Sequence, residues 1–186
     1  MKISISGKHV TVFFLIILVA GGVYIIYRYI PKHTTTYNFF GIEIPFRVDI
    51  DKANNIPVYP DNETIYNIMW DSQVENITIA YVNSSENNKV AVEAFEITSK
   101  MKIAYQHIGY LNGVYLDRSF NGKEVDSYEN ISATPFNPVI VLIPPILSND
   151  TLVMANNNVI YIKGTTMENF DLATVKFLMV ALAINL

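Results

Sequence analysis

Apolar and polar positions follow distinct rhythms along this chain, and each rhythm predicts an element. After Gly41, the residues Ile42, Ile44, Phe46, Val48 and Ile50 fall on one side, with Glu43, Pro45, Arg47, Asp49 and Asp51 on the other. That two-residue period predicts a half-buried strand. Pro45 has no N–H to give to a ladder, which places the strand at an edge or a bulge. Asp61 precedes Ile65, Ile68, Met69 and Ser72 at three- and four-residue spacing, the pattern of a capped amphipathic helix. Residues 76–82 read as a buried strand. Residues 89–107 read as a second helix. At about 100° per residue, Ala91, Ala94, Phe95, Ile97, Met101, Ala104 and Tyr105 share one broad arc of that helix. Glu93, Glu96, Lys100 and His107 share the opposite arc, where Glu96 and Lys100 make a favourable i,i+4 pair.

Asn112-Gly113 and Asn121-Gly122 mark turns in the next region. The run "PVIVLI" at 138–143 is apolar throughout, as in a central strand buried on both faces. Residues 151–155 and Val159–Lys163 flank "NNN", which predicts a hairpin. Thr165 and Glu168 form a capping box for a last helix. Phe170, Leu172, Phe177, Leu178 and Leu182 leave that helix no wide polar face, so it must be buried. The sequence remaining after Lys176 is too short for a membrane span, which assigns the helix to the core. The expected class is α/β (α+β), a mixed sheet of about five strands covered by about three helices.

A different pattern precedes this domain. Residues 10–27 contain no charged side chain. At about 1.5 Å per residue the run makes a helix of about 27 Å, close to the thickness of a hydrocarbon core. Tyr24, Tyr27 and Tyr29 cluster toward one end, where amphipathic rings suit the headgroup region, and Pro31 ends the helix. Cleavage after Val19-Ala20-Gly21 is the rival reading, but the apolar run continues past those small residues. A pilin-type leader cut near Gly7 is a further alternative, weakened by Lys8 and His9 and by the break at Pro31. The expected organisation is a cytoplasmic tail at 1–9, a transmembrane anchor at 10–30, a stalk at 31–37 and an outer globular domain at 38–186.

Composition sharpens this picture. All 17 acidic residues lie in 34–186, with nine of the 13 basic ones, so that part carries a formal charge of about −8. That charge repels nucleic acid. The chain has no cysteine, which excludes disulfide stapling, thiolate catalysis and cysteine zinc sites. Five N-x-S/T sequons begin at Asn62, Asn76, Asn83, Asn130 and Asn149, all on the side expected to be outside. In composition the chain resembles archaeal membrane-anchored surface proteins.

Candidate chemistry is sparse. His107 is the one histidine of the domain, so metalloprotease H-E-x-x-H and multi-histidine zinc sites are missing. Neither G-x-S-x-G, G-x-G-x-x-G nor a P-loop occurs. No cofactor is expected. Gly164-Thr165-Thr166 offers amides at a helix start, as every capped helix does. Asp49 and Asp51 place two carboxylates near Asn54 and Asn55, a candidate Ca²⁺ site that departs from the EF-hand pattern at Ala53 and Asn54. Glu124, Asp126 and Glu129 form a second acidic face. The leading expectation is a non-enzymatic surface module with an envelope protein or glycan as partner, its 12 tyrosines giving amphipathic contact area. The alternative is a carboxylate enzyme acting on envelope glycans, which requires two facing acids in an open pocket.

Overall fold

The computed structural model describes residues 35–184. The expected tail at 1–9 and span at 10–30 lie outside the described residues. Among the described residues, no helix is long and apolar enough to cross a membrane.

The chain is a mixed α/β fold. It starts with an antiparallel hairpin, β1 (Thr35–Phe39) and β2 (Ile42–Phe46), followed by the single helical turn α1 (Ile50–Ala53). A short strand β3 (Val58–Tyr59) and helix α2 (Asn62–Trp70) lead to β4 (Asn76–Tyr81) and the long helix α3 (Asn87–Leu111). Then come β5 (Ser119–Glu124), β6 (Val139–Ile143), the hairpin β7 (Leu152–Asn156) and β8 (Val159–Lys163), and helix α4 (Met167–Ala181). Six strands form one sheet in the order β3-β7-β8-β6-β4-β5. β5, β4, β6 and β8 run parallel, and β7 is antiparallel to β8.

The two faces of the sheet are covered differently. Ile77, Ile79, Ile140, Leu142, Ile160 and Ile162 pack against α2, α3 and α4 in the main core. On the opposite face Ala80, Val139, Val141, Ile143 and Val159 are covered by Val125, Tyr128, Ile131 and Ala133, from the loop between β5 and β6. Every residue of β6 is buried, as its unbroken apolar run requires. Asn157 and Asn158 both take positive φ, at 48° and 63°, in the two-residue turn of the β7–β8 hairpin. Asparagine tolerates this conformation better than most residues.

Helix α4 is the core helix its composition demands, with Phe170, Phe177 and Leu178 fully buried. Its cap is Thr166, whose hydroxyl accepts the Asn169 N–H, rather than the expected Thr165. Thr165 instead bonds Thr151 and the Asn169 side chain. Gly164 must be glycine, because a Cβ there would lie 2.4 Å from the Phe170 backbone. Helix α2 is capped by Asp61, which accepts the Thr64 N–H at 2.7 Å, and that bond lowers the Asp61 pKa. At its other end buried Arg118 donates to the carbonyls of Met69 and Asp71 and lies 4.4 Å over the Tyr105 ring. A cation there complements the helix dipole. Burial pushes the Tyr105 hydroxyl up to about 12.

Four expectations change. The first strand stops at Phe46 because Asp49 caps α1, accepting the Asp51 N–H at 2.9 Å; Ile50 is buried from a helix instead of a strand. Thr35, placed in the stalk, opens β1. Asn112-Gly113 is the expected turn, just after α3, but Asn121-Gly122 lies inside β5 without a turn. On α3, Ile97, Met101, Ala104 and Tyr105 are buried as expected, but Glu93 and Lys100 are buried too, and Phe95 is exposed. The hairpin accounts for this last change, since it covers the side of α3 that the sheet does not.

Candidate functional site

Open α/β sheets usually bind ligands at the carboxyl ends of their strands, where successive connections leave in opposite directions. Here that point lies between β4, which crosses to β5, and β6, whose chain continues to the other side. The crevice is stitched shut by the chain itself. Glu86 Oε2 accepts the Ile146 N–H at 3.0 Å. The Tyr128 hydroxyl donates to the Leu142 carbonyl at 3.1 Å and accepts the Val82 N–H at 3.4 Å. Burial raises the Tyr128 pKa.

The acids that do face one another are enclosed. Arg47 leaves β2 and reaches α3, where its Nη2 lies 2.8 Å from Glu93 Oε1 and its Nε lies 2.5 Å from Glu96 Oε1. Lys100 pairs with Glu96 and sits 5.3 Å from the Phe46 ring centroid. Asp171 and Thr174 close the cluster from α4. Burial pushes the Glu93 pKa up to about 7, reinforced by Asp171, with Arg47 opposing. Burial and Arg47 push Lys100 down to about 8, with Glu93 opposing. The Thr174 hydroxyl lies beside them without a well-formed hydrogen bond. The void between these groups is about 10 Å³. That is room for at most about one water molecule and not for a sugar ring.

One spacing could have revealed this cluster. Glu93, Ile97, Lys100 and Ala104 recur at intervals of three and four residues, so the two charges share a stripe with core side chains. A stripe of that kind needs a charged partner from elsewhere, and Arg47 supplies it from 46 residues away.

The other candidates are scattered. Asp49 serves as a helix cap, and Asp51 is exposed on α1. Among the described residues no group of three or more His, Cys, Asp or Glu side chains is arranged to hold a metal ion. Glu124, Asp126 and Glu129 do come together, on the rim of a cleft of about 440 Å³ behind β4 and β5. Thr78, Lys123, Asn130 and Asn137 also line it, with Ala80 and Val139 buried behind them. The sequon asparagines Asn76, Asn83, Asn130 and Asn149 are exposed, and Asn62 is half-buried.

A second opening lies at the carboxyl end of α3. A groove of about 560 Å³ is lined by Gln106, Tyr110, Gly113, Val114, Tyr115 and Leu116. Tyr110 is 81% exposed and Tyr115 88%, and Leu111 and Val114 are also exposed. The chain doubles back here because Gly109 leaves room: a Cβ on it would lie 2.8 Å from the Val114 carbonyl oxygen. His107, read as a solvated histidine, is half-buried and holds the tip of the β1–β2 hairpin, its Nε2 lying 2.9 Å from the Phe40 carbonyl oxygen. The Phe40 ring is itself exposed. Apart from the tyrosines, nothing in the sequence marks this surface. Its apolar residues lie at a helix end and in a loop, beyond the reach of a periodicity argument. No family model matches this chain, and neither a curated protein nor a solved structure does.

Proposed function

We propose that this chain is a non-enzymatic binding module of the cell surface, anchored through residues 10–30, with its globular domain outside. The observation that carries the reading is the groove at the end of α3, where Tyr110, Val114 and Tyr115 are exposed together, with Leu111 exposed next to Tyr110 in the chain. A monomer that leaves such side chains together in water favours a partner to cover them. Tyrosine suits the role because it offers a large, rigid and amphipathic contact. The partner is a protein with an apolar, uncharged face in the same envelope. The uncharged run at 10–27 supports the anchor, and the acidic, cysteine-free domain with its own core supports a separate outer unit.

The enzymatic alternative receives less support. Glu93, whose pKa is raised, faces Asp171 across a void too small for substrate.

The test uses the full chain in its own membranes, with a photo-reactive phenylalanine analogue at position 115. A discrete cross-linked adduct is expected, and Val114→Asp should abolish it without changing the protein level. An adduct that survives Val114→Asp, or none at all, would reject the surface as a docking site.

A further inference from the structure

Asn130 differs from the other four sequon asparagines in its surroundings. Asn62 is half-buried in the first turn of α2, and the hydroxyl-bearing residue of its sequon, Thr64, is itself helical. Asn76 is inside β4, where it accepts a bond from Ser119, while Thr78 of the same sequon bonds Asn137 at 3.2 Å. Asn83 accepts from the Asn87 amide at 2.8 Å. Thr151, which completes the Asn149 sequon, shares a bond with Thr165 at 3.0 Å. Asn130 and Ser132 are both exposed in an irregular loop, and neither makes a side-chain hydrogen bond among the described residues. Asn130 also takes a positive φ of 59°, and its sequon is pinned to the fold by Ile131, which packs against the back of the sheet.

Asn130 and Ser132 line the cleft behind β4 and β5. At about 440 Å³ this cleft falls within the range of small-molecule sites. Its apolar lining is the half-buried Val125 and Ile131, with Ala80 and Val139 buried behind them, and its walls carry donors and acceptors from Thr78, Lys123, Glu124, Asp126 and Asn137. A pyranose ring has the matching character, with C–H groups on its faces and hydroxyls around its edge.

We propose that Asn130 carries an N-linked glycan whose first sugars seat in this cleft. In the transfer, the Asn130 Nδ2 attacks the anomeric carbon of a lipid-pyrophosphate-linked sugar donor. The new N–C bond forms as the C–O bond to the pyrophosphate breaks, and the amide proton passes to the transferase's base. The inference rests on the surface location proposed above, because the transferase must meet the domain.

The experiment takes the full-length chain from its native membranes, maps glycopeptides by mass spectrometry and compares the melting of Ser132→Ala and Asn149→Gln variants. The expected result is sugar-sized mass increments on the Asn130 peptide, lost in Asn130→Gln. Ser132→Ala, which removes the same sequon and leaves the positive-φ Asn130 in place, should lose the increments too and melt several degrees lower, with Asn149→Gln unchanged. Protease shaving of intact cells, run in parallel, separates the two possible failures. A domain cut from outside but bare at Asn130 overturns the inference and leaves the location standing. A protected domain with no modified sequon overturns both. A modified Asn130 that Ser132→Ala leaves bare without lowering the melt overturns the seating in the cleft.

Discussion

The two ends of helix α3 break the usual rule of burial in opposite directions. Toward the amino end Glu93 and Lys100 are buried, at 2% and 6% exposure. Toward the carboxyl end Tyr110 and Leu111 stand in water, and Val114 and Tyr115 follow just beyond. Glu93 is matched within the fold by Arg47 and Lys100 by Glu96, so no external group is needed to explain them. Nothing among the described residues covers the exposed rings. The difference separates a structural device from the surface proposed for docking.

That comparison breaks first if the core itself is misassigned. Phe177 is fully buried on α4, under the sheet that contains β6. Phe177→Ala should cost about 3–5 kcal/mol. Against a typical domain stability of about 5–15 kcal/mol, that lowers the melting temperature strongly. An unchanged melt would show that α4 is a surface helix.

Arg47→Ala comes next. It strands Glu93 in the interior, and breaking a buried pair in this way costs about 3–5 kcal/mol. The partial exposure of Arg47 places the expected loss at the lower end. Thermal melts of the two variants rank these effects directly.

Acid should stabilise the amino end of α3. The Glu93 pKa is about 7 in the fold, against an ordinary 4.5. Between those values the native state holds the proton and the unfolded chain does not, so stability falls as pH rises from about 4.5 to 7. Lys100 has the opposite slope: its pKa is depressed to about 8, and stability recovers as pH rises from there toward 10.5. The groups that face this titration are Arg47 from the hairpin, Glu96 and Lys100 from α3 and Asp171 from α4, and they move the midpoint without reversing its sign. Glu93→Gln should flatten the acid arm of a plot of melting temperature against pH. An acid arm that is unchanged in the variant would assign the titration to another group.

The smallest stability effect belongs to the exposed end. Tyr110→Ala and Tyr115→Ala remove side chains that pack on little, so each should shift stability by no more than about 0.5 kcal/mol. A larger loss in a thermal melt would mark these rings as part of the core.

Much of the fold was legible from periodicity. β6 follows from its apolar run, the β7–β8 hairpin from its three asparagines, and α4 from its lack of a polar face. Where sequence reading failed, a contact distant along the chain decides the outcome. Glu93 and Lys100 share spacing with both a solvated and a buried stripe, and only the hairpin, through Arg47, settles which stripe is covered. Ile50 fits a strand by alternation and a helix by its position after Asp49, and the cap wins. The exposed rings of the carboxyl end gave no periodic signal, because they lie at a helix end and in the loop after it.

Amide hydrogen exchange on the full chain, in native membranes and after purification in detergent, tests both ends of α3 at once. The account predicts slower exchange at residues 110–116 in the membranes, where the partner is present, and no change at residues 90–101. Equal exchange at 110–116 in the two samples, or a change confined to 90–101, would contradict it.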